Sequence, residues 1–160
     1  MRKLFLSTYV NKIDAKGRVS IPAAFRTILE EEQENVKIII RKSFLDNCIE
    51  VSSLSYMEKL SQGIDNPENV IPQVYYAFLT FFLFNSAQLT INDEVMVLMP
   101  KKLLDEVGIT SKAIFVGKDR IFETLSVDGF YSYTSKVKEI VKQEKSSISF
   151  IVLLCTLRFY

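Results

Sequence analysis

The chain has 160 residues, 48% of them apolar and 24% charged, which suits one domain or two small fused halves with ample material for a core. A net charge of +1 says nothing by itself about nucleic acid. The absence of histidine, with only Cys48 and Cys155 and no C-x-x-C spacing, excludes a disulfide framework and a zinc site and fits a reducing cytoplasm. No long apolar segment follows Arg2 and Lys3, and the nearly apolar run over 148–157 is about half the length of a membrane helix, so neither a secretory signal nor a membrane span is expected.

Charge is polarised along the chain. Residues 1–29 hold Arg2, Lys3, Lys12, Lys16, Arg18 and Arg26 against Asp14 alone, a local +5, while the remainder carries −4. In chain order, residues 5–14 and 18–21 read as a hairpin. Asp14 suits the first position of its turn, and Gly17 suits the left-handed position that follows, where a Cβ would be strained. Val19 and Ile21 alternate with Arg18 and Ser20, which sends the apolar pair to the core and Arg18 outward beside the turn.

Pro22 fits the first position of a helix over 22–33, with Phe25, Ile28 and Leu29 on one face and a glutamate-rich, solvated end. Strands over 36–41 and 48–51 close this half, a helix covers 53–60, and Asn66-Pro67 breaks a linker over 61–69. A helix over 72–86 follows. Its stretch 75–84 is apolar nearly all round, so protein must cover it. Strands are then expected over 88–91 and 95–99, a helix over 100–107 closed by Gly108, strands over 113–117 and 120–124, and a last helix over 127–144.

Residues 92–104 align without gaps to residues 14–26. Asn92 falls under Asp14, Val97 under Val19, Pro100 under Pro22 and Leu103 under Phe25, and each segment is followed by an apolar strand at the same offset. The economical explanation is two copies of one unit. The second copy is degenerate, because Val95 and Met96 stand where the first has Gly17 and Arg18, and its turn geometry and outward Arg are expected to be missing.

The block from Asp14 to Pro22, with Lys16, Gly17 and Arg18 between, and its second copy near residue 90 resemble the MraZ family of transcriptional regulators, relatives of AbrB-like swapped-hairpin DNA-binding proteins. The likeness covers about residues 3–140. It implies an α+β fold in which two tandem β-hairpin/helix half-repeats form a double-split, swapped-hairpin β-barrel with flanking helices. The corresponding division is 1–60 for the first, DNA-reading half, 61–86 for the linker and connecting helix, 87–126 for the second half, and 127–160 for the C-terminal helix and apolar tail.

The same resemblance implies a DNA-binding regulator, cytoplasmic and nucleoid-associated, generally a repressor of a bacterial cell-division and cell-wall gene cluster that includes its own gene. Its partners would be double-stranded DNA carrying short promoter repeats and further copies of itself in an octameric or dodecameric ring. The DNA-binding candidates are Arg18, Lys16, Lys12, Lys3 and Arg2, with Asp14 and Gly17 shaping the turn. Arg18 suits a guanine edge because its planar fork can bond O6 and N7 together, and Lys16 suits a phosphate as a point charge. No G-x-S-x-G, phosphate-binding glycine loop or H-E-x-x-H occurs, and the acidic pairs Asp93-Glu94 and Asp105-Glu106 read as solvated faces. No enzyme activity, cofactor, metal or small-molecule substrate is expected. The alternative reading is an oligomeric protein-binding scaffold of the same fold that has lost DNA binding.

Overall fold

In the computed structural model of the chain, the described residues are 4–31, 36–64, 72–91 and 95–149. Arg2, Lys3, Asp93, Glu94, Cys155, the acidic end of the first helix at 32–34, most of the expected linker and the tail from 150 onward lie outside them.

The fold is α+β with antiparallel sheets. The first copy contributes β1 (Thr8–Lys12), β2 (Arg18–Ser20), α1 (Ala23–Glu30), β3 (Lys37–Lys42), β4 (Ile49–Ser53) and α2 (Leu54–Ile64). After α3 (Pro72–Phe84) the order repeats with β5 (Ser86–Thr90), β6 (Met96–Leu98), α4 (Lys101–Val107), β7 (Lys112–Lys118) and β8 (Ile121–Leu125), and α5 (Val127–Gln143) follows. Six strands form one sheet in the order β1-β7-β8-β4-β3-β5, and β2 and β6 form a separate two-stranded ribbon.

The pairing obeys the repeat. First-copy β1 lies on second-copy β7, second-copy β5 lies on first-copy β3, and β2 meets its own counterpart β6. The expected hairpin is therefore only a turn. Its arms touch at the single bridge Ile13–Val19 and through the Asn11 side-chain amide, which donates to the Ser20 carbonyl at 2.6 Å, before leaving for different sheets. Alternation specifies a strand and its inward face but not its neighbour. β1 finds five ladder pairs on β7, more than the three residues of β2 could offer.

Both copies feed one core. Phe5, Phe25 and Phe122 meet with ring centroids 4.9 to 5.3 Å apart, and Val19, Ile21, Leu29, Ile38, Val51, Val97 and Val107 surround them. Phe25 and Leu29 are buried on one face of α1, as their spacing predicts. Pro22 precedes this helix rather than opening it: its ψ of 136° is extended, and its carbonyl accepts from the Phe25 and Arg26 N–H groups at 2.9 and 3.0 Å. Pro100 repeats that geometry before α4, and Gly108 closes α4 in the left-handed conformation.

Other boundaries shift for local reasons. Ser7 adopts a positive φ of 72°, so the first strand starts at Thr8, and Phe5 makes an isolated bridge to Asp119. α2 runs through Ile64 into the expected linker, and α3 stops at Phe84, where β5 takes over. The described residues cover only part of α3. Phe82 is buried beneath the Arg41 guanidinium at 3.8 Å, while Tyr76, Phe81, Leu83 and Phe84 are exposed. No described helix is long and apolar enough to cross a membrane.

Candidate nucleic-acid interface

The turn between β1 and β2 is built by one carboxylate. Asp14 donates its N–H to the Arg18 carbonyl and accepts the Gly17 N–H on its own carbonyl, both at 3.0 Å, with Gly17 at φ 85°. Asp14 Oδ1 accepts the Lys16 and Arg18 N–H groups at 2.9 Å each, and Oδ2 accepts Arg18 Nε–H at 2.6 Å. The Arg18 N–H and guanidinium, with the Lys16 N–H, hold the Asp14 carboxyl below its ordinary value. An exposed ion pair of this kind contributes little stability. Its consequence is orientation: Nε is engaged, and the two terminal nitrogens of the half-exposed Arg18 are left for a ligand. Lys16 is exposed at the tip.

The second copy completes this surface. Met99 donates its N–H to the Gly17 carbonyl at 3.0 Å, and a Cβ on Gly17 would stand 2.9 Å from the Met99 carbonyl oxygen and 3.4 Å from Leu104 Cδ1. In the β2–β6 ribbon Arg18 lies opposite Leu98, Val19 opposite Val97 and Ser20 opposite Met96. Val19 and Val97 are buried, so Arg18 and Leu98 share the outward face, where both are exposed. Val95 corrects one expectation: with φ 66° it keeps the left-handed backbone of Gly17 despite its branched side chain. Met96 stands at the place of Arg18, half-buried and opposite Ser20.

The candidate Lys12 lies beside the turn with three cations that the local sequence pattern does not mark, Lys112, Lys101 and Lys102. Lys12 is exposed on β1 and faces Lys112 across the ladder to β7, beside the Ile13 N–H, which donates to the Ser111 carbonyl at 3.0 Å. Like charges directly opposite repel unless an anion lies between them. Lys101 and Lys102, both exposed, follow Met99 and Pro100 at the start of α4. Only strand register and exchange disclose Lys112, since nothing in its local pattern marks it. Arg26 turns inward, its Nε donating to the Ile21 carbonyl at 3.1 Å.

A family profile described as "MraZ protein, putative antitoxin-like" matches residues 4–68, which include this turn. Similarity to curated relatives runs through both copies. The proteins named transcriptional regulator MraZ of Rickettsia africae (strain ESF-5) and Rickettsia felis (strain ATCC VR-1525 / URRWXCal2) are 36% and 35% identical over 145 residues, 91% of this chain and 96% of each relative. The chain belongs to the MraZ family. The protein of that name in Rickettsia bellii (strain OSU 85-389) is 34% identical over 146 residues.

Elsewhere the described residues of this MraZ-family chain offer little to chemistry. Cys48 is buried, and its thiol is pushed up to about 12 by burial, then by the charges of Glu123 and Glu50, so it stays protonated at neutral pH. Among the described residues no three His, Cys, Asp or Glu side chains gather as a metal site. Asp105 and Glu106 are exposed. A cavity of about 340 Å³ between α2 and α3 is lined mainly by apolar groups such as Ile39, Met57, Phe78 and Phe82, and none of the turn residues reaches it.

Proposed function

We propose that this protein is a DNA-binding transcriptional regulator and not an enzyme, acting in the cytoplasm in association with the nucleoid. The observation that carries the reading is the Asp14 carboxylate holding the half-exposed Arg18 through Nε, two residues from the exposed Lys16 at the tip of the turn. Arg18 reads a guanine edge, Lys16 binds a phosphate, and Lys12 and Lys112 offer a second anionic contact that relieves their own repulsion. Arg2 and Lys3 add charge from the preceding segment. Asp14 and Gly17 shape the turn without touching the ligand. The names of the relatives support the same role.

The finer reading is a repressor that binds short repeats upstream of a cell-division and cell-wall gene cluster including its own gene. Its two exchanged halves make a swapped-hairpin, double-split barrel, divided as 1–60, 61–86, 87–126 and 127–160. One turn offers few contacts, so affinity comes from linking identical heads in an octameric or dodecameric ring. The exposed aromatic residues of α3 supply apolar surface for such assembly. A footprint of purified protein across its own upstream DNA tests this, with mobility shifts at several salt concentrations. Evenly spaced protection that weakens with salt is expected. A stable ring that shifts none of this DNA would instead favour the scaffold reading, to which the loss of Arg at Met96 lends weight.

A further inference from the structure

A two-stranded β-ribbon fits the major groove of B-DNA, where thymine is distinguished by its C5-methyl group. The β2–β6 ribbon has one face in the core, through Val19 and Val97, and one face outward. Arg18 and Leu98 lie directly opposite each other on that outward face. Leu98 is 59% exposed on that face. The charged side of the turn continues into this apolar position, since Leu98 Cδ1 would lie 3.9 Å from a Cβ on Gly17. The second copy thus places an apolar residue, at the position equivalent to Ser20, directly across from the Arg of the first.

We infer that the reading surface is composite, and that Leu98 contacts a thymine methyl beside the guanine bonded by Arg18. The inference rests on the DNA-binding reading above and adds a specificity residue from the second copy. Geometry fixes the spacing. Directly opposed residues of an antiparallel pair have Cα atoms about 5 Å apart, and successive bases of a strand rise about 3.4 Å along the DNA axis. The thymine is therefore expected within about two base steps of the guanine.

The test uses the full chain and duplexes from its own upstream region, located by footprinting. Each thymine in the protected segment is replaced singly by deoxyuridine, which removes only the methyl. The natural protein is expected to lose about fourfold in affinity per engaged head at one position near the guanine, the worth of one buried methyl group. Leu98→Ala should bind natural DNA more weakly and be indifferent to the same replacement, with an unchanged melting temperature and oligomeric mass. Equal binding of every thymine and deoxyuridine duplex by the natural protein overturns the inference while leaving the regulator reading intact. So does a Leu98→Ala protein that keeps the deoxyuridine effect. A change of oligomeric mass in Leu98→Ala, with no deoxyuridine effect in the natural protein, assigns Leu98 to a contact between copies. Absence of salt-sensitive binding to any upstream duplex removes both this inference and the reading on which it rests.

Discussion

Gly17 and Val95 occupy equivalent places in two copies of one unit and hold nearly the same backbone, φ 85° and φ 66°, with opposite side-chain suitability. Glycine takes that conformation freely, whereas a branched residue there is strained by about 1–3 kcal/mol. The second copy keeps the shape after losing the residue that makes it easy. The shape therefore belongs to the fold, because β6 must lie along β2 and Met99 must reach the Gly17 carbonyl. The chemistry belongs to the ligand. Met96 takes the place of Arg18 in the second copy, while Val97 beside it is as buried as Val19.

The largest effect should come from making the first copy resemble the second. Gly17→Val adds left-handed strain and drives a Cβ to 2.9 Å from a backbone oxygen, so a loss of about 3 kcal/mol of stability is expected in urea denaturation, together with loss of DNA binding. A variant as stable as the natural protein would show that the turn is not pinned by the second copy.

Arg18→Ala should leave stability nearly unchanged and cost about 1–3 kcal/mol of binding per engaged head, with relaxed discrimination at one base pair. Lys16→Ala should weaken operator and scrambled DNA alike and flatten the slope of log affinity against log salt by about 0.9 per lost phosphate contact. Titrations of both DNAs at several salt concentrations separate the two. Equal loss on both DNAs for Arg18→Ala, with a changed salt slope, would reduce Arg18 to a phosphate contact.

Val95→Gly should stabilise the protein by about 1 kcal/mol, as strain relief exceeds the added freedom of the unfolded chain. Adding Met96→Arg should alter DNA affinity far less than any change at Gly17 or Arg18. If the double change were needed before any DNA bound, the one-reader arrangement would be wrong. The smallest effect concerns pH. Because the Asp14 value is lowered on folding, its stabilisation is complete above the ordinary carboxylate value, declines as pH falls below that value and is gone below the lowered one. A carbon-detected NMR titration should find Asp14 ionised after ordinary carboxylates have protonated, and an unshifted midpoint would contradict the clamp.

Much of this was legible because glycine, proline and short-range alternation act locally. Gly17, Gly108 and the apolar face of α1 follow from a few neighbouring residues, as does the placement of Arg18 on the outward side of its strand. The strand pattern alone does not disclose the exchange of β1 onto β7, because it carries no address for a partner, and only the family resemblance implied a swapped arrangement. Lys112 was hidden for the same reason. Val95 misled in the opposite direction: its side chain argues against a positive φ that surrounding contacts impose.

Exchange also orders events in time. Thr8 finds Val116, and the Gly17 carbonyl finds the Met99 N–H, only after nearly the whole repeat has been synthesised. Such pairings raise the contact order and slow folding. While the ribosome has released only the first copy, the chain carries the Asp14–Arg18 segment without the strand that steadies it. A truncated product or fragment ending before β6 is accordingly expected to be a poor competitor for operator, so regulatory capacity tracks completed chains.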